Sequence, residues 1–262
     1  MSTRDWCIAF AVLIALLLFL SPGFAETSDG CWDGTDGAVG HWSLNDTTSP
    51  PFVESCYGYD AYNYSGAIDS VAGQFSNAGE FLVADTEYAT APVNIMWNFT
   101  FNENYTICAW AYPLSLGAQG WIVSPVQTKY WMMIQIVANN SYRCLKYDGA
   151  NPVASVYSNA AAANTWTHIC CGTETASDKV FMFINGSFHA NVTDTSNAAT
   201  QSSVNHSFGR WGGGGNYFNG RIDEIYYYNG SGFGVDGYNW VTLTSAISNI
   251  TTYNNVTGIA GA

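Results

Sequence analysis

From Asn104 onward, short β-rich runs recur along this chain, roughly ten residues apart and broken by turn residues. Segment 105–112 reads YTICAWAY and stops at Pro113. Segment 130–137 stops before Asn139-Asn140, and 142–147 stops at Asp148-Gly149. Segment 166–173 follows, and then 179–184, which ends at Asn185-Gly186, the strongest short hairpin signal. Segments 188–192, 203–208 and 221–228 complete the set. Runs this short cannot be helices of ordinary length, and their aromatic and β-branched residues suit a pleated, half-buried surface. No long period-3.6 stretch follows the first 25 residues; 240–250 is read as one short helix, and there is no internal repeat. The expectation is an all-β, antiparallel two-sheet sandwich or jelly roll.

The 262 residues suffice for one large domain or two small ones, and 48% apolar residues supply a sizeable core. Only 10% are charged, with 7 Lys and Arg against 20 Asp and Glu, a net charge of −13. That balance excludes nucleic acid, which needs clustered cations, and docking to anionic lipid.

Arg4 precedes an apolar run over 6–20, followed by Ser21, Pro22, Gly23, Phe24 and Ala25. This is the pattern of a secretory signal peptide cut after Ala25, and the run is short for a membrane anchor, the rival reading. The expected organisation is a signal peptide over 1–25, a linker over 26–40, the sandwich over 41–230 and an extension over 231–262, with no stable membrane insertion after cleavage. Cleavage removes Cys7 and leaves Cys31, Cys56, Cys108, Cys144, Cys170 and Cys171. An even number in an exported chain predicts disulfides. There is no C-x-x-C, and His41, His168, His189 and His206 are scattered, so a metal site is not read here.

Asn-x-Ser/Thr occurs at Asn45, Asn63, Asn98, Asn104, Asn139, Asn185, Asn191, Asn205, Asn229, Asn249 and Asn255. With 23 Asn, and 45 of 262 residues Ser or Thr, chance would give about 4 sites rather than 11. The excess predicts a glycoprotein whose glycans supply the solubility that few charges provide.

Several motifs carry a family resemblance. WTHICC at 166–171, DKVFMFINGSF at 178–188, FGR at 208–210 and FNGRIDEIYYYN at 218–229 resemble the second half of a laminin-G-like, concanavalin A-like jelly roll. HWSLN at 41–45, VAGQFSNAGEF at 71–81 and YTICAWAYP at 105–113 resemble its first half. YTIC and WTHIC also resemble pentraxins, which implies a Cys108–Cys170 bridge. Cys171 must then face the other way, since side chains alternate along a strand, and Cys144 is its natural partner. Cys31 and Cys56 remain for each other, although the connectivity beyond the first pair stays open.

The fold hosts lectins, adhesion modules and glycosidases, so function must be argued from sites. Glycosidases of this fold carry acids at alternating positions of one strand. Here Asp223 and Glu224 are adjacent and face opposite ways, so the pair is missing and Asp223 is expected to be structural. There is no G-x-S-x-G elbow, and G-x-G-x-x-G at Gly232, Gly234 and Gly237 lacks a βαβ setting. No enzyme is expected. The resemblance raises one Ca2+, but the segment where pentraxins hold an acidic cluster reads Arg210, Trp211 and four glycines. Asp60, Asp69 and Asp85 are the candidate ligands in the first half, and Asp29, Asp33 and Asp36 lack EF-hand spacing.

Sugar binding needs an aromatic plane plus polar groups for hydroxyls. Arg210, Trp211, Asn216, Tyr217 and Phe218, around the glycines, are the candidate ligand residues, with Trp121 a second aromatic. The expected function is a secreted, N-glycosylated, non-enzymatic protein that binds glycans or protein partners at a cell surface or in extracellular matrix. The alternative is a subunit of an extracellular filament, sheath or coat, self-assembled through sheet edges and the tail over 231–262.

Overall fold

The computed structural model describes residues 38–45, 52–93, 104–125, 131–147, 152–174, 177–195 and 205–229. Their elements are β1 (Ala38–Trp42), β2 (Tyr62–Ser65), β3 (Asp69–Ala72), β4 (Asn77–Phe81), a 3-10 turn (Val83–Asp85), β5 (Tyr88–Ala91), β6 (Tyr105–Pro113), β7 (Gly120–Pro125) and β8 (Trp131–Ile136), followed by β9 (Ser141–Tyr147), β10 (Pro152–Ala160), β11 (Thr167–Glu174), β12 (Lys179–Ile184), β13 (Ser187–Thr193), β14 (His206–Phe208) and β15 (Gly220–Asn229). The expected signal peptide, Cys31, the short helix over 240–250, the glycine motif at 232–237 and the tail lie outside these residues. No helix among the described residues is long and apolar enough to cross a membrane.

Two antiparallel sheets form. One runs β13-β12-β11-β6-β15-β4-β3, with β1 also paired to β15; the other runs β10-β9-β8-β7-β14-β5-β2. The long β15 makes this possible: its start pairs with β4 and its end with β1, while its other edge follows β6 throughout. Glu224, at φ 50°, sits in the bulge where that register shifts. The expected hairpin at Asn185-Gly186 joins β12 to β13 with φ values of 50° and 76°, the left-handed pair that a two-residue turn requires.

The core lies between the sheets, where alternation sends every second side chain. Trp42, Phe81, Phe208, Phe218 and Tyr227 are fully buried, and Trp42 meets Phe208 and Tyr227 edge-on. On β15, Tyr227 enters this core, whereas Tyr226 and Tyr228 join Cys108, Cys170, Phe181 and Phe183 on the outer side of the larger sheet.

The disulfides follow the same parity. Cys108–Cys170 links directly opposed residues of β6 and β11 on that outer side. Cys144–Cys171 crosses the core from β9 to β11 and joins the two sheets. Cys56 is disulfide-bonded as well.

One boundary differs from expectation. β1 starts at Ala38, inside the expected linker, because Ala38 already pairs with Tyr228. Strands β2, β5, β7 and β10 form where the sequence marks no run. β7 opens on Gly120 and closes on Pro125, residues that ordinarily mark turns, and β10 opens on Pro152 at a sheet edge.

Candidate functional site

The glycine-rich loop is pinned from several sides. Gly209 N–H donates to Ile122 O at 3.1 Å, and Phe218 N–H donates to Gly209 O at 2.8 Å. Ser124 Oγ donates to Arg210 O at 2.8 Å and accepts from Gly212 N–H at 3.0 Å. Gly214 and Gly215 take φ of 93° and 81°, where a side chain would be strained. Gly213 lies against the Trp211 indole, 3.1 Å from where a Cβ would stand.

One of the five candidate ligand residues is corrected outright. Phe218 is fully buried in the main core, drawn inward by its bond to Gly209, and presents nothing to a ligand. Asn216 is exposed, and Arg210, Trp211 and Tyr217 are half-buried. Trp211 packs on the cluster of Trp121 and Leu145, its indole stacked 6.4 Å from that of Trp121 at 24°. The Arg210 guanidinium lies 3.5 Å over the Tyr88 ring, and Tyr88 in turn stacks on Tyr64 at 5.8 Å.

These contacts belong to the outer face of the seven-stranded sheet. Core residues Ala89, Ala91, Ile134, Ile136 and Cys144 fix which parity points inward. Trp121, Gln135, Arg143 and Tyr157 pair in register across β7, β8, β9 and β10, and so form one outward row. Arg143 donates to Gln135 Oε1 at 3.3 Å and to Ser155 Oγ at 2.6 Å, and sits 5.2 Å over Tyr157. Burial pulls its pKa below the ordinary arginine value. Among the described residues, Trp121 Nε1, Gln135 Nε2 and Arg210 Nε are buried donors with no hydrogen-bond partner. A buried donor left unmade costs about 1–3 kcal/mol, so this face holds unused binding capacity. Gln135 and Arg143 escaped the sequence reading because nothing local marks which strands will lie side by side.

The acids of β15 are committed elsewhere. Asp223 Oδ2 accepts from the N–H groups of Gln74 and Phe75 at 2.9 and 3.0 Å, clamping the turn between β3 and β4. Burial, reinforced by the Glu224 charge, pushes its pKa up to about 8. Glu224 Oε2 meets His41 Nε2 at 2.6 Å and accepts from Tyr226 O–H at 2.9 Å, while His41 stacks on Tyr226 at 4.1 Å. Ser55 Oγ lies 2.9 Å from His41 Nδ1, which completes a Ser55–His41–Glu224 line that no sequence motif announced. The amides beside Ser55 do not form an oxyanion site: Cys56 and Tyr57 N–H groups both donate to the Glu54 carboxylate. The line ties β1 and the 52–60 segment to β15.

Of the candidate calcium ligands, Asp85 and Asp69 both lie near Glu87, whose pKa is raised first by burial and further by those two charges. Asp60 Oδ1 accepts from Glu54 N–H at 3.0 Å, Asp69 lies on β3, and Asp85 ends the 3-10 turn. Calcium requires six to eight converging oxygens. The one metal-type cluster among the described residues is Cys108, His168 and Cys170, whose sulfurs are spent on a disulfide. His168 and His206 are fully enclosed, and burial pulls their pKa values down to about 4 and about 3.

Among the sequon asparagines, Asn139, Asn185 and Asn191 are exposed, and Asn45, Asn63, Asn104 and Asn205 are half-buried. Asn98, Asn249, Asn255 and the Asn229 side chain lie outside the described set. Asn63 and Asn191 sit on β2 and β13, an edge strand of each sheet.

Comparison places this geometry among known proteins. A family model described as the concanavalin A-like lectin/glucanases superfamily matches residues 84–231. No curated protein matches the chain in sequence. Domain 4 of an extracellular arabinanase from Geobacillus stearothermophilus, solved with arabinotriose, is similar in structure at TM-score 0.55 and 16% identity, over 74% of this chain and 92% of that one. The botulinum neurotoxin serotype G binding domain matches at TM-score 0.62 and 14% identity, over 82% of this chain and 52% of that one. A botulinum neurotoxin DC binding domain, solved with rat synaptotagmin II, matches at TM-score 0.59 and 14% identity, over 80% and 51%. At these identities the likeness is one of fold, and this chain spans about half the length of the neurotoxin domains.

Proposed function

Because the chain belongs to the concanavalin A-like lectin/glucanases superfamily, we propose that it is a secreted, N-glycosylated, non-enzymatic protein that binds glycans or protein partners at a cell surface or in extracellular matrix. The observation that carries this reading is the outer face of the seven-stranded sheet, where the Trp121–Trp211 and Tyr64–Tyr88 stacks flank buried donors without partners. Aromatic planes with a few convergent polar groups are what a sugar face and its hydroxyls require. Neighbours of this fold that were solved with arabinotriose and with synaptotagmin support the two partner classes. The clamping role of Asp223 and the His41 pairing of Glu224 favour binding over hydrolysis.

The filament or coat reading would have to use the β3 or β10 edge or the tail, since a glycan on β2 or β13 obstructs strand addition there. The test is the double change Trp211→Ala and Tyr217→Ala. Glycan-array or receptor binding should fall while the melting temperature of the sandwich holds to within a few degrees. A collapse of stability with binding per folded molecule unchanged would remove these aromatics from the site. Negative-stain images showing ordered polymers of the native glycoprotein would favour the coat reading instead.

A further inference from the structure

The seven strands of the β10-to-β2 sheet contain no Asp or Glu in 39 residues. Spread evenly, the chain's 20 acids in 262 residues would put about three in that many positions. The glycine-rich loop over 209–218 is acid-free as well. The larger sheet is different: Asp69, Glu80, Glu174, Asp223 and Glu224 all lie on its strands.

The cations of this acid-free region are placed unequally. Lys146 turns inward and pairs with Asp194 beyond β13. Arg143 and Arg210 point to the outer face, and neither has a carboxylate partner among the described residues. Arg143 is held by neutral oxygens of Gln135 and Ser155. Arg210 rests on Tyr88, with its Nε unpartnered. In a chain of net charge −13, two half-buried guanidinium groups without a counter-charge are costly to keep, and a ligand anion offsets that cost.

We infer that this face binds an anionic saccharide, a uronate- or sulfate-bearing chain lying across the strands, with Arg143 and Arg210 as its two anion contacts. The inference rests on the binding role proposed above and names the ligand class of that same site. Tyr88, under Arg210, is on β5 and Arg143 is on β9, four strand spacings or ~19 Å apart. Trp121 Nε1 and Gln135 Nε2 lie between them, beside the Trp211 ring, as donors for sugar hydroxyls. An acidic peptide fits less well, because the face of a sheet offers no open backbone ladder for a peptide to pair with.

The experiment is a glycan array carrying uronate-, sialate- and sulfate-bearing oligosaccharides beside their neutral parents, with polyglutamate as a peptide control. The full-length glycoprotein and its Arg210→Gln and Arg143→Lys plus Arg210→Gln variants are applied at low and high salt. Acidic glycans should bind roughly tenfold or more tightly than their neutral parents. The preference should shrink in high salt and fall in Arg210→Gln, with the melting temperature unchanged. Equal binding of acidic and neutral forms would overturn the inference and leave the glycan-binding role standing. So would acidic binding that survives both variants, or polyglutamate binding more tightly than any glycan. Binding to no glycan at all would overturn the inference and the glycan half of the role together.

Discussion

His41 Nε2 lies 2.6 Å from Glu224 Oε2 although 183 positions separate them, and this contact fastens the first described strand to the last. Both side chains are buried, and Ser55 and Tyr226 complete their hydrogen bonds. His41→Ala leaves the carboxylate with Tyr226 O–H as its remaining hydrogen-bond donor of this group. The expected loss is about 3–5 kcal/mol, the usual result of breaking a buried pair on one side. Urea titration at neutral pH measures it, and a loss below about 1 kcal/mol would show the pair to be incidental.

Acid should destabilise the sandwich through His168 and His206. Burial holds their folded pKa values at about 4 and about 3, below the ordinary histidine value of 6.5. Below pH ~6.5 the unfolded chain takes up protons that the folded one refuses, so stability falls as pH drops. The loss levels off once pH is below the folded values, with a slope of at most ~1.4 kcal/mol per pH unit for each histidine. Comparing urea midpoints at pH 7 and 5 for the parent and for His168→Gln isolates one contribution; identical differences in both would remove it.

Asp223 should act in the opposite direction. Its folded pKa, about 8, stands above the ordinary aspartate value of 3.8, so its contribution is complete below ~3.8 and is lost as pH rises through 8. Asp223→Asn keeps an acceptor for Gln74 and Phe75 while removing the titration. The variant should therefore lose less stability than the parent between pH 5 and 9, read from paired thermal melts.

Gly209 combines φ 82° with a Phe81 ring atom 2.4 Å from any added Cβ. Gly209→Ala adds overpacking to backbone strain and should cost about 2–4 kcal/mol. Gly58, at φ 75° with open space around it, carries the strain alone, and Gly58→Ala should cost about 1 kcal/mol. Equal melting temperatures in the two variants would contradict this packing account.

Removing the cross-core disulfide by Cys144→Ala with Cys171→Ala should cost ~3–4 kcal/mol by loop closure over its separation of 27 residues. The Cys108–Cys170 bridge, spanning 62 residues, should cost slightly more by the same reasoning. Guanidinium titrations of the two double variants measure both.

Local chemistry determined a great deal by itself. The run over 179–184 and its Asn185-Gly186 turn became β12 and the hairpin to β13, because a two-residue turn needs left-handed backbone that Asn and Gly supply. Adjacent Cys170 and Cys171 had to face opposite ways, since strand side chains alternate, and they do. Alternation says which residues share a face but not what that face meets. Phe218 read as a loop aromatic until its amide's bond to Gly209 drew the ring into the core. The acid-free sheet is assembled from seven separate segments, so its charge balance exists only once strand order is known. The same holds for the row of Trp121, Gln135 and Arg143, and for the line from Ser55 through His41 to Glu224. Each depends on pairing between strands distant in sequence, and only the tertiary fold decides that pairing, because its hydrogen bonds form between segments whose own residues carry no record of their partners.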